Sequence, residues 1–269
     1  MELKSRTPWE KMELIRNKNR PTLRDYIPMI FDNFIEFHGD RHYGDDNAIL
    51  GGIATLNGVP VTVIGEVRGK NLNENKKVNF GMPHPEGYRK ALRLAKQAEK
   101  FNRPVIFFID TPGAFCGIGA EERGQGEAIA KNLEELMVLK TPIISIVLGE
   151  GESGGALAIG VCDELAMLEN ALYSVVSPTA FASILWKDNS KEKEATAIMH
   201  ITAQDLKELG VCETIIPEPV GGAHTDLYKM SENIKEYLVK KTDEKMKKSL
   251  DVLLNERYTK FRKIGEFEE

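Results

Sequence analysis

Residues 105–160 read "VIFFIDTPGAFCGIGAEERGQGEAIAKNLEELMVLKTPIISIVLGEGESGGALAIG" and contain one pattern twice. In each copy an apolar run, at 105–109 or at 143–148, leads into a glycine-rich loop and then into a helical stretch. Continuous apolar runs that alternate with helices are typical of parallel strands buried on both faces. The sequence therefore predicts an α/β fold in which both loops leave the same edge of the sheet.

The flanking residues extend this pattern in both directions. Capping boxes headed by Thr7 and Thr22 open two helices, and the apolar spacing carries the second one over residues 23–37. Asn57-Gly58 joins two β-runs as a hairpin, and from residue 226 onward the spacing is helical throughout. The other predicted elements are helices at 86–101, 120–140 and 202–210 and strands at 164–168, 173–176 and 211–216.

Composition excludes several classes of protein. The 269 residues carry a formal net charge of -5, which does not favour a nucleic-acid or anionic-membrane partner. Three widely spaced cysteines form neither a disulfide framework nor a C-x-x-C metal pair, so we expect no bound metal. Because no apolar stretch approaches the ~18 residues of a membrane span and the N-terminus lacks a signal-peptide run, we expect a cytoplasmic protein.

The stretch "GEGESGGALAIG" at 149–160 matches two motifs that imply unrelated chemistry. Its G-x-S-x-G triplet is the nucleophile elbow of serine hydrolases, with Ser153 as nucleophile and His200 or His224 as the available base. Its G-x-G-x-x-G spacing is the dinucleotide fingerprint. A third interpretation is that the glycines only permit a tight turn between strand and helix.

All three interpretations place glycines at the start of a helix. The first backbone N–H groups of a helix have no intrahelical partner and carry partial positive charge, so the stretch predicts an oxyanion site. A second glycine-rich loop, with Gly113, Gly117 and Gly119, follows the preceding strand. We expect the two loops to line one cleft.

Nine motifs spread over residues 7–224 resemble, in order, the alpha subunit of bacterial acetyl-CoA carboxylase carboxyltransferase. They are "RPTLRDYI", "FHGDRHYGDD", "GMPHPEGYRKALRLAKQAEKFNRPVIFFIDTPGA", "GIGAEERGQGEAIAKNL", "GEGESGGALAIG", "YSVVSP", "ASILWKD", "ITAQDLKELGV" and "IIPEPVGGAH". Together they are far more specific than any single glycine motif.

The resemblance implies a crotonase-like (ClpP-like) spiral of ββα units at 46–225, between helical segments at 1–45 and 226–269. It implies transfer of a carboxyl group from carboxybiotin, carried on the biotin carboxyl carrier protein, to acetyl-CoA, giving malonyl-CoA for fatty acid synthesis. The implied partner is a beta subunit that binds the CoA thioester and carries a zinc ribbon, in an α2β2 assembly, with biotin carboxylase as an indirect partner.

The resemblance also implies which residues form the site. The backbone N–H groups of Gly154 and Gly155 would form the oxyanion hole for the biotin ureido oxygen. In this interpretation Ser153 is a small turn residue and not a nucleophile. The predicted substrate-binding residues are Gly117, Ile118, Gly151 and Ser153.

Several residues near this predicted site depart from the family pattern. Cys116 stands where proline is usual, Glu152 where glycine is usual, and Thr179-Ala180 where Glu-Gly is usual. A carboxylate at residue 152 would oppose negative charge developing beside it. The alternative hypotheses are therefore a catalytically impaired scaffold subunit of the same complex, or a serine hydrolase that uses Ser153.

Overall fold

The computed structural model describes residues 6–266, which contain an eight-stranded sheet. The strand order is β1-β2-β3-β4-β5-β6-β8, with β7 paired to the end of β5. The first three strands pair antiparallel and the others parallel. The strands are β1 (Asp32–Glu36), β2 (Ile49–Leu56), β3 (Val59–Glu66), β4 (Val105–Thr111), β5 (Ile143–Glu152), β6 (Glu164–Leu168), β7 (Leu172–Ser174) and β8 (Thr214–Ile216).

Helices pack against the sheet. Along residues 6–266, two helices come before the first strand and two follow the last one. The helix α4 packs against β2, β3 and α6, whereas α11 contacts α2, β5 and β8. The helices are α1 (Pro8–Ile15), α2 (Leu23–Ile30), α3 (Leu72–Lys77), α4 (Pro85–Lys100), α5 (Ile118–Glu122), α6 (Gln125–Met137), α7 (Ser153–Leu157), α8 (Pro178–Trp186), α9 (Glu192–Ile198), α10 (Ala203–Glu208), α11 (Leu227–Met246) and α12 (Leu250–Lys263), with 3₁₀ turns at Asn79–Gly81 and Asn189–Lys191.

The strands that determine the fold lie where the sequence predicts them. Every residue of β4 and of β5 is buried, as expected for parallel strands covered on both faces. The hairpin turn between β2 and β3 has positive φ at both central residues, 48° at Asn57 and 83° at Gly58, as a tight hairpin requires. The predicted α/β class is therefore confirmed.

The predicted helix over residues 23–37 is wrong in its second half. The helix ends at Ile30, and Asp32–Glu36 form the edge strand β1 beside β2. A side chain at Gly52 of β2 would overlap the carbonyl oxygen of Ile35, so the two strands pair only because that residue is glycine. This long-range contact overrides the local helical spacing.

The glycine-rich stretch at 149–160 was predicted as a loop, but its first four residues belong to β5. The strand continues through Glu152, and its last three residues pair with β7. A Cβ at Gly149 would lie 2.7 Å from Asp110 Oδ1, and one at Gly151 would lie 2.7 Å from a ring carbon of Tyr173. The two glycines therefore allow neighbouring side chains to pack against an extended strand, and the turn begins only at Ser153.

A buried arginine fastens the C-terminal helix to the core. Arg257 is 1 % exposed, and its guanidinium donates to both carboxylate oxygens of Asp163, each at 2.8 Å. It also donates to the carbonyl oxygens of Leu136, Leu139 and Thr141. One side chain thus ties α12 to the end of α6 and to the segment that leads into β5.

We predict that Arg257→Met strongly destabilises the protein. Removing one partner of a buried ion pair costs about 3–5 kcal/mol, because the remaining charge stays buried without compensation. Urea unfolding followed by circular dichroism measures the change in the free energy of unfolding. The control is Arg262→Met in the same helix, where the side chain is exposed; equal losses for the two variants would contradict this role.

Candidate active site

The segments that follow β4 and β5 enclose a cleft of about 310 Å³ at the carboxyl edge of the sheet. The β4 side supplies Pro112, Gly113 and Ala114, and the β5 side supplies residues 152–155. Its other lining residues are Ile129, Val175, Val176, Ser177 and Ala180. The two loops therefore meet in one cleft, as the parallel order of their strands requires.

Gly155 is the point of closest approach between the two loops. A Cβ at this residue would lie 2.5 Å from the backbone nitrogen of Ala114 and 2.6 Å from the carbonyl carbon of Gly113. Gly113 itself has a φ of 132°, which residues with side chains rarely adopt. At this point the two loops pack directly backbone on backbone.

The structure brings only some of the predicted site residues together. Ser153, Gly154 and Gly155 line the cleft, but Gly117, Ile118 and Gly151 do not. Gly117 caps α5 and packs against the ring of Phe115. Ile118 is 81 % exposed, and Gly151 is buried within β5.

The β4 side of the cleft is lined by Gly113, which belongs to the predicted glycine-rich loop, and by Ala114, but neither was among the predicted substrate-binding residues. Gly113 and Ala114 take the place that the sequence had suggested for Gly117 and Ile118. Their loop is held by Thr111, whose hydroxyl accepts from the Gly113 N–H at 3.0 Å, and by Gln125, whose amide donates to the Phe115 carbonyl at 2.9 Å. The available signal was the "DTPG" segment at 110–113, whose glycine opens the loop after β4.

Ser153 has the backbone of a nucleophile elbow without the partners of one. Its φ is 57°, the left-handed conformation typical of a residue on a sharp strand-to-helix turn, and its side chain is exposed. No histidine is among the described residues that line its cleft. His200 lies 3.9 Å from an oxygen of Asp205, at the start of α10. An activated serine needs a base within hydrogen-bond reach, so this geometry does not favour a hydrolase.

A network of charged groups, of which Glu66, Asp110 and Glu150 are buried, lies at the ends of β3, β4 and β5. Glu150 binds two arginines, with Arg16 Nε 2.8 Å from Oε1 and Arg68 Nη1 2.7 Å from Oε2. Burial acts to raise the pKa of Glu150, but the two cations outweigh it and hold the pKa below its usual value. Asp110 Oδ1 accepts from the Glu150 N–H at 3.2 Å, and the Asp110 N–H donates to Glu66 at 3.1 Å. These bonds connect the ends of β3, β4 and β5.

Glu152 lies on the same face of β5 as Glu150, but its pKa shifts in the opposite direction. Its side chain is nearly buried, and it lines the cleft beside the glycines. Burial, reinforced by the nearby charge of Glu150, raises the pKa of Glu152 to about 8. At pH 7 the neutral acid therefore exceeds the carboxylate by about tenfold. The expected repulsion of an anion by residue 152 is correspondingly weak.

A family model described as "Acetyl co-enzyme A carboxylase carboxyltransferase-like" matches residues 2–265. The chain belongs to this carboxyltransferase family. An alpha subunit of acetyl-coenzyme A carboxylase carboxyl transferase from Clostridium perfringens is 62% identical over 256 residues, which are 95% of this chain and 94% of the relative. The predicted family, alpha-subunit assignment and enzyme class, the carboxyltransferase component of acetyl-CoA carboxylase, are confirmed.

A second relative joins two subunits in one polypeptide. The carboxyl transferase "subunits beta/alpha" of Natranaerobius thermophilus is 61% identical over 264 residues, which cover 98% of this chain and 44% of that protein. The carboxyltransferase chain described here thus corresponds to less than half of the fused protein.

Comparison with solved structures confirms the crotonase-like fold. A crystal structure of the transcarboxylase 12S hexamer with bound methylmalonyl-coenzyme A superposes with a TM-score of 0.64 and 20% sequence identity, over 86% of this chain and 44% of that one. At this identity the likeness concerns the fold alone. Within residues 6–266 no cluster of His, Cys, Asp and Glu is suited to hold a metal ion, and no helix is long and apolar enough to cross a membrane.

We predict that Gly155→Ala lowers the free energy of unfolding of this carboxyltransferase chain by about 1–3 kcal/mol, the cost of forcing an extra atom into a packed site. The added Cβ has to displace the backbone at Gly113 and Ala114. Gly126→Ala is the matched control, because a Cβ there has no atom within 4 Å and the residue lies in α6. Chemical denaturation of the two variants provides the comparison, and equal stability would contradict the close approach.

Proposed function

We propose that this chain provides the biotin-facing half of a carboxyltransferase site, in a complex with a beta subunit. The reaction moves a carboxyl group from carboxybiotin on the biotin carboxyl carrier protein to acetyl-CoA and gives malonyl-CoA. The observation that carries the proposal is the glycine cleft, where backbone N–H groups at the start of α7 meet the loop after β4. Family membership supplies the reaction class.

The cleft suits a small neutral ring that carries an oxygen able to accept hydrogen bonds. Its walls are mostly backbone and small side chains, and residues 153–155 begin α7, so their N–H groups have no partner within the helix. The Cβ of any other residue at position 155 would disturb this wall. These features fit the ureido group of biotin.

Carboxybiotin, when bound, supplies the carboxyl group and a ureido oxygen that gains negative charge as the group leaves. The contribution of the protein is to bind and orient this oxygen with donors that are already in position. Backbone N–H groups at Gly154 and Gly155 provide those donors, and rigid donors need no reorganisation as charge develops. The buried bonds among Glu66, Asp110 and Glu150 hold the strand ends from which both loops start.

The relatives support the proposed partner. The fusion of beta and alpha subunits in Natranaerobius thermophilus supports a beta subunit next to this chain. We assign the CoA thioester chiefly to that partner, together with a zinc ribbon, and we propose an α2β2 assembly that biotin carboxylase supplies through the carrier protein. The scaffold alternative rested on the departures at Cys116, Glu152 and Thr179-Ala180, and the raised pKa of Glu152 argues against charge repulsion at that one residue.

The proposal is tested by mixing the purified chain with its cognate beta subunit and assaying malonyl-CoA decarboxylation in the presence of free biotin. We expect turnover from the complex and none from either subunit alone. A complex that has formed, as shown by size-exclusion chromatography with light scattering, yet does not turn over malonyl-CoA would exclude the proposed function.

We predict that Gly154→Val lowers this activity at least about a hundredfold, because its side chain would keep the oxygen away from the backbone donors and the loss of one oxyanion donor costs about that much. A Cβ at Gly154 would lie 3.7 Å from Ile129 and would overlap nothing, so the side chain fills the cleft without breaking the fold. Gly126→Val, on the exposed surface of α6, serves as the control and should assemble and react normally. Full activity in the Gly154 variant would remove this cleft from the reaction.

A further inference from the structure

Glu152 is a nearly buried residue with a carboxyl side chain, and it forms part of the wall of the cleft. It is the last residue of β5 and directly precedes the turn at Ser153. The residue is 5 % exposed and is one of those that line the same cleft as Gly154 and Gly155. The role proposed for the glycines does not use it.

The charged groups around Glu152 leave it without a cation of its own. Successive residues of a strand alternate between faces, so Glu150 lies on the same face and closer to the arginines. Each carboxylate oxygen of Glu150 binds one of them, Arg16 from α1 or Arg68 from the segment after β3. Arg16 also binds Glu192 of α9 at 2.8 Å. Within residues 6–266 no donor forms a hydrogen bond or ion pair with the carboxyl group of Glu152.

Burial in this setting favours the protonated carboxyl group. Desolvation acts first, and the charges of Glu150 and Glu192 act in the same direction, whereas Arg16 and Arg68 act against them. The balance raises the pKa of Glu152 to about 8. A carboxylic acid that is neutral at working pH can donate a hydrogen bond, and this is an established device for stabilising an oxyanion.

We propose that Glu152, as a neutral carboxylic acid, donates a hydrogen bond to the oxygen that the cleft receives, alongside the N–H groups of Gly154 and Gly155. This rests on the proposed function. The proton stays on Glu152 throughout, so the group acts as a donor and not as a general acid. Ionisation of Glu152 would slow the reaction in two ways, because it removes the donor and places negative charge beside a developing anion.

The first test is the pH dependence of kcat/KM for the complex with the beta subunit. One pH unit above a pKa of about 8, roughly one molecule in eleven keeps the proton, so we expect the wild type to lose about tenfold between pH 7 and pH 9. In Glu152→Gln the amide donates at every pH, so this decline should disappear. Glu208→Gln, an exposed glutamate on α10, is the matched control and should keep the wild-type profile.

The variant Glu152→Gly tests whether Glu152 acts as a hydrogen-bond donor or is only tolerated at this position. Loss of one oxyanion donor lowers turnover by about 10²–10³-fold, so we expect a clear loss at pH 7 that glutamine at the same position largely restores. If the glycine variant reacts as fast as the wild type at pH 7, or if the glutamine variant keeps the alkaline decline, the proposal is wrong.

A second readout does not depend on turnover. Infrared difference spectra of the full chain should show a protonated carboxyl band that titrates near pH 8 and is missing in Glu152→Gln. Saturating free biotin should move this titration to higher pH, because a hydrogen bond from the neutral form favours that form. An unchanged titration with biotin bound would overturn the proposal. A wild-type complex without turnover that still shows the biotin-dependent shift would instead mean that the proposed reaction, and not this donor, is wrong.

Discussion

The direct packing of backbone on backbone at Gly155 is the constraint on which the rest of the site depends. Two parallel strands end side by side, and the segments that follow them meet where residue 155 touches Gly113 and Ala114. No other residue fits there without moving the β4 loop, because its Cβ would lie within 2.6 Å of backbone atoms. This approach brings the start of α7 against the β4 loop. In the proposed function the recognition of substrate therefore falls to main-chain atoms, which are more rigid than long side chains.

Electrostatics then distinguishes two neighbouring carboxyl groups. Glu150 and Glu152 are two residues apart on one strand, and both are buried. Two arginines lie within reach, and both bind Glu150. The arginines lower the pKa of Glu150, whose backbone N–H links its strand to β4. The pKa of Glu152 is raised by burial and by the negative charge of Glu150. A single strand thus carries, two residues apart, one carboxyl group whose pKa is lowered and one whose pKa is raised.

Local sequence signals predicted the elements that depend on local physics. The capping boxes, the Asn57-Gly58 hairpin and the buried strands β4 and β5 lie as expected, because each depends on a few adjacent residues or on an uninterrupted apolar run. The failures depend on distant partners. The edge strand β1 forms because Gly52 admits it, and β5 extends beyond 148 because two glycines accommodate Asp110 and Tyr173.

The sequence by itself determined the family, the α/β class and the presence of two glycine-rich loops at the ends of consecutive strands. Only the tertiary structure decided which glycines meet: Gly155 lies against Gly113 and Ala114, and Gly117 remains outside the cleft. It alone also placed the burial and the neighbouring charges that raise the pKa of Glu152. Both depend on distances between residues far apart in the chain, and no local pattern encodes which backbone atoms touch or which carboxylate binds the arginines.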